Sequence, residues 1–333
     1  MVQSFADVPG IVPTPYGEAM YVRGRELVAL GIDLSHLVWD ADEVLWDWVL
    51  SGVRLMGSLP FALFGRLGHR EYIALRPGML ELLWGMHHAA LEHGKDPHVR
   101  IWTSGYPWRL WKILRHIEGF DQLLGPPDAL GSGDARLLGA HPRVFTRPDY
   151  VSIVRDLLSP EVRAKRLATL SEPARSAIAT QLAHRPDDSG YKIPELALLF
   201  GKAAFANARF LIDDARNNVE WFKAAGRSAV HVRSRTPRIA FGRIPNSAWS
   251  PVRFLERSGH GAARAIADAL HVLASSSDTI IAEALLGDAP DAPPNRIFAI
   301  DVPNAVLWRE WINPMRDLRR AMKRTARVAE IPP

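Results

Sequence analysis

The stretch that most constrains how this chain can fold is Leu37-Val38-Trp39-Asp40-Ala41-Asp42, in which a short apolar run meets two aspartates one residue apart. An apolar run of this length, bounded by polar residues, reads as a buried strand. Carboxylates just past such a strand face the crevice where open α/β sheets hold their ligands. The two-residue period of extended chain turns Asp40 and Asp42 to the same side. Two carboxylates this close are costly to keep ionised without a cation or a shared proton. The pair therefore implies a metal or an acid/base couple.

Further strands are expected at 99–102, ending in Thr103-Ser104-Gly105, at 143–146, at 208–212, ending in Asp213-Asp214, and at 229–232 as the last. Helical spacing lies between them, opened by Arg76-Pro77-Gly78 with Pro77 in the first helical turn, and over 108–117, 195–204 and 219–225. Alternation of this kind predicts an α/β fold, a Rossmann-like three-layer parallel sheet. The core is expected over 36–149 and 191–235, with an irregular segment at 1–35 that holds a single helical turn at 25–30. A helical insertion is expected at 150–190, a loop at 121–142 and a possible small cap at 46–75. The remainder, 236–333, reads as a mostly helical extension, with helices at 262–273, 279–286, 305–312 and 315–328 and a linker at 287–295.

The 333 residues include no cysteine, which excludes disulfides and thiolate metal sites. A net charge of +5 suits phosphorylated or nucleic-acid partners, but fits a solvated basic surface better. The basic helix at 315–328 is the candidate nucleic-acid contact. The apolar run 45–65 is broken by Asp47, Arg54, glycines and Pro60, so it reads as an apolar helix and loop rather than a membrane span. With no basic-then-apolar leader at the N-terminus, a cytoplasmic protein without membrane contact is expected.

The polar groups at the strand ends form an ordered set: Asp40 with Asp42, Thr103 with Ser104, Lys192, and Asp213 with Asp214. Parallel strands bring their ends to one crevice, and that many carboxylates in one place suit a hard divalent cation such as Mg²⁺. The local contexts are Val38-Trp39-Asp40-Ala41-Asp42-Glu43-Val44-Leu45, Ile101-Trp102-Thr103-Ser104-Gly105, Tyr191-Lys192-Ile193-Pro194 and Phe210-Leu211-Ile212-Asp213-Asp214-Ala215-Arg216-Asn217-Asn218. In order and content the set resembles the haloacid-dehalogenase superfamily, in its phosphatase branch. The likeness covers roughly 36–125 and 141–235.

That resemblance implies a Mg²⁺-dependent phosphatase acting on a phosphorylated small molecule. Asp40 would be the nucleophile and Asp42 the general acid and base. Thr103, Ser104 and Lys192 would bind phosphate. The metal would be held by Asp40, Asp42 (through its backbone carbonyl), Asp213 and Asp214, with Asn218 orienting the acidic pair. Lys202 is the rival for the lysine. Two other readings are a non-catalytic module that binds nucleic acid or protein on the same fold, and a polynucleotide or protein phosphatase.

Overall fold

The computed structural model describes residues 5–11, 13–51, 69–172, 174–176, 178–179, 192, 194–234, 255–256 and 259–329. Its strands are β1 (Leu37–Trp39), β2 (Trp46–Ser51), β3 (His69–Leu75), β4 (Ile101–Trp102), β5 (Val144–Phe145), β6 (Phe210–Asp213), β7 (Ser228–Ser234), β8 (Ile281–Leu286) and β9 (Arg296–Val302). Six of them form a sheet in the order β5-β4-β1-β6-β7-β8, with every neighbouring pair parallel. The chain leaves β1 for β4 and β5 on one flank, then returns to β6 on the other. Such a reversal opens a crevice at the carboxyl ends of the central strands.

Alternate strand residues feed two separate apolar layers. Leu37, Trp39, Ile101, Val144, Ile212 and Val230 pack on one side of the sheet. There they meet α1 (Pro15–Ala29), α2 (Met79–Glu92), α3 (Pro107–Leu114) and, from the tail, α10 (Ala262–Ser275). Val38, Trp102, Phe145, Leu211 and Ala229 face the opposite layer. That layer includes the helices Arg147–Leu157, Pro194–Leu199, Arg216–Ala224 and Asn313–Ala329. Near-continuous apolar strands are what a sheet covered on both faces requires. The α/β three-layer expectation holds at this level.

Several expectations change. Residues 15–29 are not irregular but form the full helix α1, in which Pro15 takes the first turn and the Thr14 hydroxyl accepts from Gly17 N at 3.0 Å. Proline at that position favours a helix start, although the cluster of prolines at 9, 13 and 15 reads as loop. α1 lies close against α2: a Cβ on Gly85 would collide with the Tyr21 carbonyl, and one on Gly24 with the Leu82 carbonyl. Gly78, with φ of +78°, precedes α2, so Pro77 sits outside the helix rather than in its first turn. The expected loop at 121–142 holds two short helices, α4 (Phe120–Leu124) and α5 (Ala135–Ala140).

The apolar run after Asp42 begins as strand β2, not helix, and its remaining part, 52–68, lies outside the described residues. β2 pairs antiparallel with β3, and β3 with β9, which builds a second, three-stranded sheet from the 46–75 region and the tail. The tail is therefore not simply a helical extension. The helix expected at 279–286 is strand β8, parallel to β7, so β7 is not the last strand of the main sheet. Ile281-Ala282-Glu283-Ala284-Leu285-Leu286 consists largely of good helix formers, yet Ala282, Ala284 and Leu286 bury on one face. Pairing along β7 outweighs that propensity. The linker expected at 287–295 leads directly into β9. The insertion supplies α6 (Arg147–Leu157) and α7 (Pro160–Leu167), whereas 180–190 lies outside the described residues. Among the described residues no helix is long and apolar enough to cross a membrane.

Candidate active site

Asp40 follows the last residue of β1, and Asp213 ends β6. The two strands run in register, with Trp39 opposite Ile212, so the next step sets Asp40 beside Asp213. The Asp40 amide donates to the Ile212 carbonyl at 2.9 Å, which locks that step. On the other flank Trp39 is opposite Ile101, and Thr103 lies just past the end of β4. These residues converge because parallel register is a backbone property, and it carries the side chains with it.

Lys192 enters this crevice from the β5–β6 connection, two residues before the helix α8 (Pro194–Leu199). Its Nζ lies 2.9 Å from Asp40 Oδ1 and 2.6 Å from Asp213 Oδ2, and its side chain is 1% exposed. The rival, Lys202, is elsewhere. Its Nζ donates to the carbonyls of Gly139 at 2.6 Å and His141 at 2.8 Å, which ties it to the C-terminal end of α5. It also lies in a turn after α8, not inside the helix expected over 195–204.

Asn218, in the first turns of α9 (Arg216–Ala224), donates its Nδ2 to both Asp213 oxygens at 3.0 Å. Asp213 Oδ1 also accepts from Ala215 N at 2.8 Å. Carboxylate oxygens of Asp40, Asp213 and Asp214 all lie within 4.8 Å of one another. Burial raises the Asp40 carboxyl well above the usual carboxylate range; Lys192 draws it down, and Asp213 and Asp214 push it further up. For Lys192, burial opposes the charge, but Asp213 and Asp40 outweigh it and raise the ammonium above its ordinary value. Three carboxylates against one ammonium leave two negative charges if all are ionised. All the donors are hard oxygens, the chemistry that suits a divalent cation such as Mg²⁺.

Thr103 is buried, and its Oγ1 accepts from Gly105 N at 3.0 Å. A hydroxyl used as an acceptor keeps its own hydrogen for a further partner. Ser104 is half-buried in the same loop. Asp42 is set apart from the cluster. Its Oδ1 accepts from Trp46 Nε1 and from Arg109 Nη1, both at 2.8 Å, and its Oδ2 accepts from the same Nη1 at 2.9 Å. The turn that brings Trp46 back passes through Glu43, whose φ is +61°.

Arg109 and its second partner, Glu71, were not singled out by the sequence. Arg109 Nε donates to Glu71 Oε2 at 2.6 Å, and its guanidinium lies 5.1 Å from the centre of the Trp48 ring. Burial alone would lower the Arg109 guanidinium, but Asp42 and Glu71 raise it well above its ordinary value. One signal was available: Arg109 lies four residues before Ile113, on the buried face of α3 that also carries Leu110 and Leu114. An arginine in phase with core positions needs a carboxylate partner. Comparison with protein-family models, with curated proteins and with solved structures finds no match to this chain.

Proposed function

We propose that this protein is a divalent-cation-dependent phosphatase of the haloacid-dehalogenase type, which hydrolyses a phosphomonoester through an aspartyl-phosphate on Asp40. The observation that carries the reading is the buried ammonium of Lys192 held between Asp40 and Asp213, with Asp214 beside them. A carboxylate attacks a phosphoryl dianion only where the negative charge is neutralised. Asp40, Asp213 and Asp214 would hold the cation, joined by the backbone carbonyl of Asp42. When bound, the cation supplies charge neutralisation at the phosphoryl oxygens.

In this mechanism an Asp40 oxygen attacks phosphorus, and the ester P–O bond breaks. The leaving alkoxide takes a proton from the Asp42 carboxyl. A water then attacks the acyl phosphate, Asp42 takes up its proton, and phosphate leaves with Asp40 regenerated. Lys192 and the Thr103 hydroxyl hold phosphoryl oxygens, and Asn218 keeps Asp213 in place. Asp42 must leave Arg109 Nη1 before it can donate a proton, because both its oxygens are engaged there.

That same clamp favours a second reading, a cation-holding fold without turnover. Phosphate release from an aryl phosphate with Mg²⁺ separates the two. The phosphatase reading predicts release that EDTA abolishes and that falls at least a thousandfold in Asp40→Asn. Equal rates for the two proteins would reject it.

A further inference from the structure

The C-terminal helices build a groove that the hydrolytic site does not use. It is formed by α11 (Asn304–Leu307), a π-helical turn (Trp308–Ile312) and α12 (Asn313–Ala329), together with Arg147 at the start of α6. The groove has a volume of about 560 Å³, and five of its nine lining residues are Lys or Arg, with no acid among them. Two indoles, Trp308 and Trp311, line the same wall. α12 buries Met315 and Leu318 in the core and turns Arg316, Arg320 and Lys323 outward. The Arg316 and Arg320 side chains are 49% and 60% exposed, and the Asp317 carboxylate lies 3.9 and 3.7 Å from them.

This wall adjoins the loop that carries Thr103, Ser104 and Gly105. Trp311 stacks on Tyr106 with ring centres 6.3 Å apart and an interplanar angle of 18°. The Arg147 guanidinium lies 5.1 Å from the centre of the same Trp311 ring, and the Arg147 amide donates to the Gly105 carbonyl at 3.0 Å. Gly105 in turn donates to Thr103 Oγ1.

We propose that this groove binds single-stranded nucleic acid, with phosphates on Arg316, Arg320 and Lys323 and an unpaired base stacked on Trp308. Cationic grooves with aromatic platforms suit single strands, because every base offers a stacking face. An anionic membrane is disfavoured, since a surface-binding helix inserts its apolar side, and that side of α12 is occupied by the core. An acidic peptide would use the charges but not the indoles.

The inference stands apart from the phosphatase reading and is tested without turnover, by fluorescence anisotropy of a labelled twelve-residue oligothymidylate on full-length Asp40→Asn protein. The expected result is binding whose logarithm falls against the logarithm of salt with a slope of about −2, for roughly three phosphates neutralised. Trp308→Ala should weaken binding about tenfold with the slope unchanged. The exposed double variant Arg316→Glu/Arg320→Glu, checked for an unaltered melting curve, should weaken it at least tenfold and flatten the slope by about 1.4. The proposal is overturned by absence of binding at 50 mM salt or by affinity that neither variant changes. It is also overturned if Trp308→Ala is silent and heparin displaces the strand at equal charge, or if phosphatidylserine vesicles, and not the oligomer, respond to the two variants.

Discussion

Replacing Lys192 with methionine tests the charge arrangement at the centre of the site. The ammonium contacts Asp40 at 2.9 Å and Asp213 at 2.6 Å, and the three side chains are 1%, 9% and 0% exposed. At an effective dielectric near 20, each contact corresponds to about 6 kcal/mol of attraction. Desolvating the three groups and crowding the carboxylates offset most of that. The residue left on removing one partner of a buried pair is about 3–5 kcal/mol. Lys192→Met should therefore lose about 3–5 kcal/mol in urea denaturation with EDTA present. With all three carboxylates ionised, the variant takes the cluster from two uncompensated negative charges to three, so added Mg²⁺, which favours the ionised form, should stabilise it more than it stabilises the parent. A loss below about 1 kcal/mol in EDTA would refute Lys192 as the buried counter-charge. An equal or smaller Mg²⁺ gain in the variant would refute the cation site.

Arg109→Met should cost at least about 3 kcal/mol in the same denaturation assay, because it leaves Glu71 buried without its guanidinium; a loss typical of an exposed pair would show that Glu71 has another counter-charge. Lys202→Met should lose about 2–4 kcal/mol, from two charge-assisted bonds to the Gly139 and His141 carbonyls, while phosphate release per folded molecule stays at the parental rate. Burial lowers His87 from its ordinary value to about 4. Its depressed value means that its stabilising effect is complete above about pH 6.5 and is lost as pH falls towards 4, by at most about 3 kcal/mol. Melting curves between pH 7 and 4 should show that decline, and His87→Gln should reduce its slope.

The site was legible where chemistry sits at strand ends, and illegible where partners meet across elements. Asp40, Thr103, Asp213 and Asn218 stand in local patterns of apolar run and polar stop, which survive in one dimension. Arg109 does not, because its partners Asp42 and Glu71 are 67 and 38 residues away. Lys192 is the lysine that the sequence favours over Lys202, but the contacts of the two are beyond it, since the helix expected over 195–204 ends at Leu199 and leaves both lysines flanking it. Which lysine meets carboxylates and which meets carbonyls depends on how the β5–β6 connection crosses the sheet.

The same division runs through the fold. Alternating apolar strands and helices were sufficient for a parallel α/β sheet, since burial on both faces demands such runs whatever their neighbours. The tail was misread because Ala, Glu and Leu in β8 favour helix in isolation, and only β7 at the sheet edge offers the backbone bonds that make them a strand. β9 likewise takes its place from β3, more than two hundred residues earlier. Which residue types stand at the ends of the central strands is a local property, readable wherever an apolar run meets a polar stop. Tertiary structure decided which charges neutralise one another there, because desolvation and distance, not spacing along the chain, set the energy of a buried ion pair.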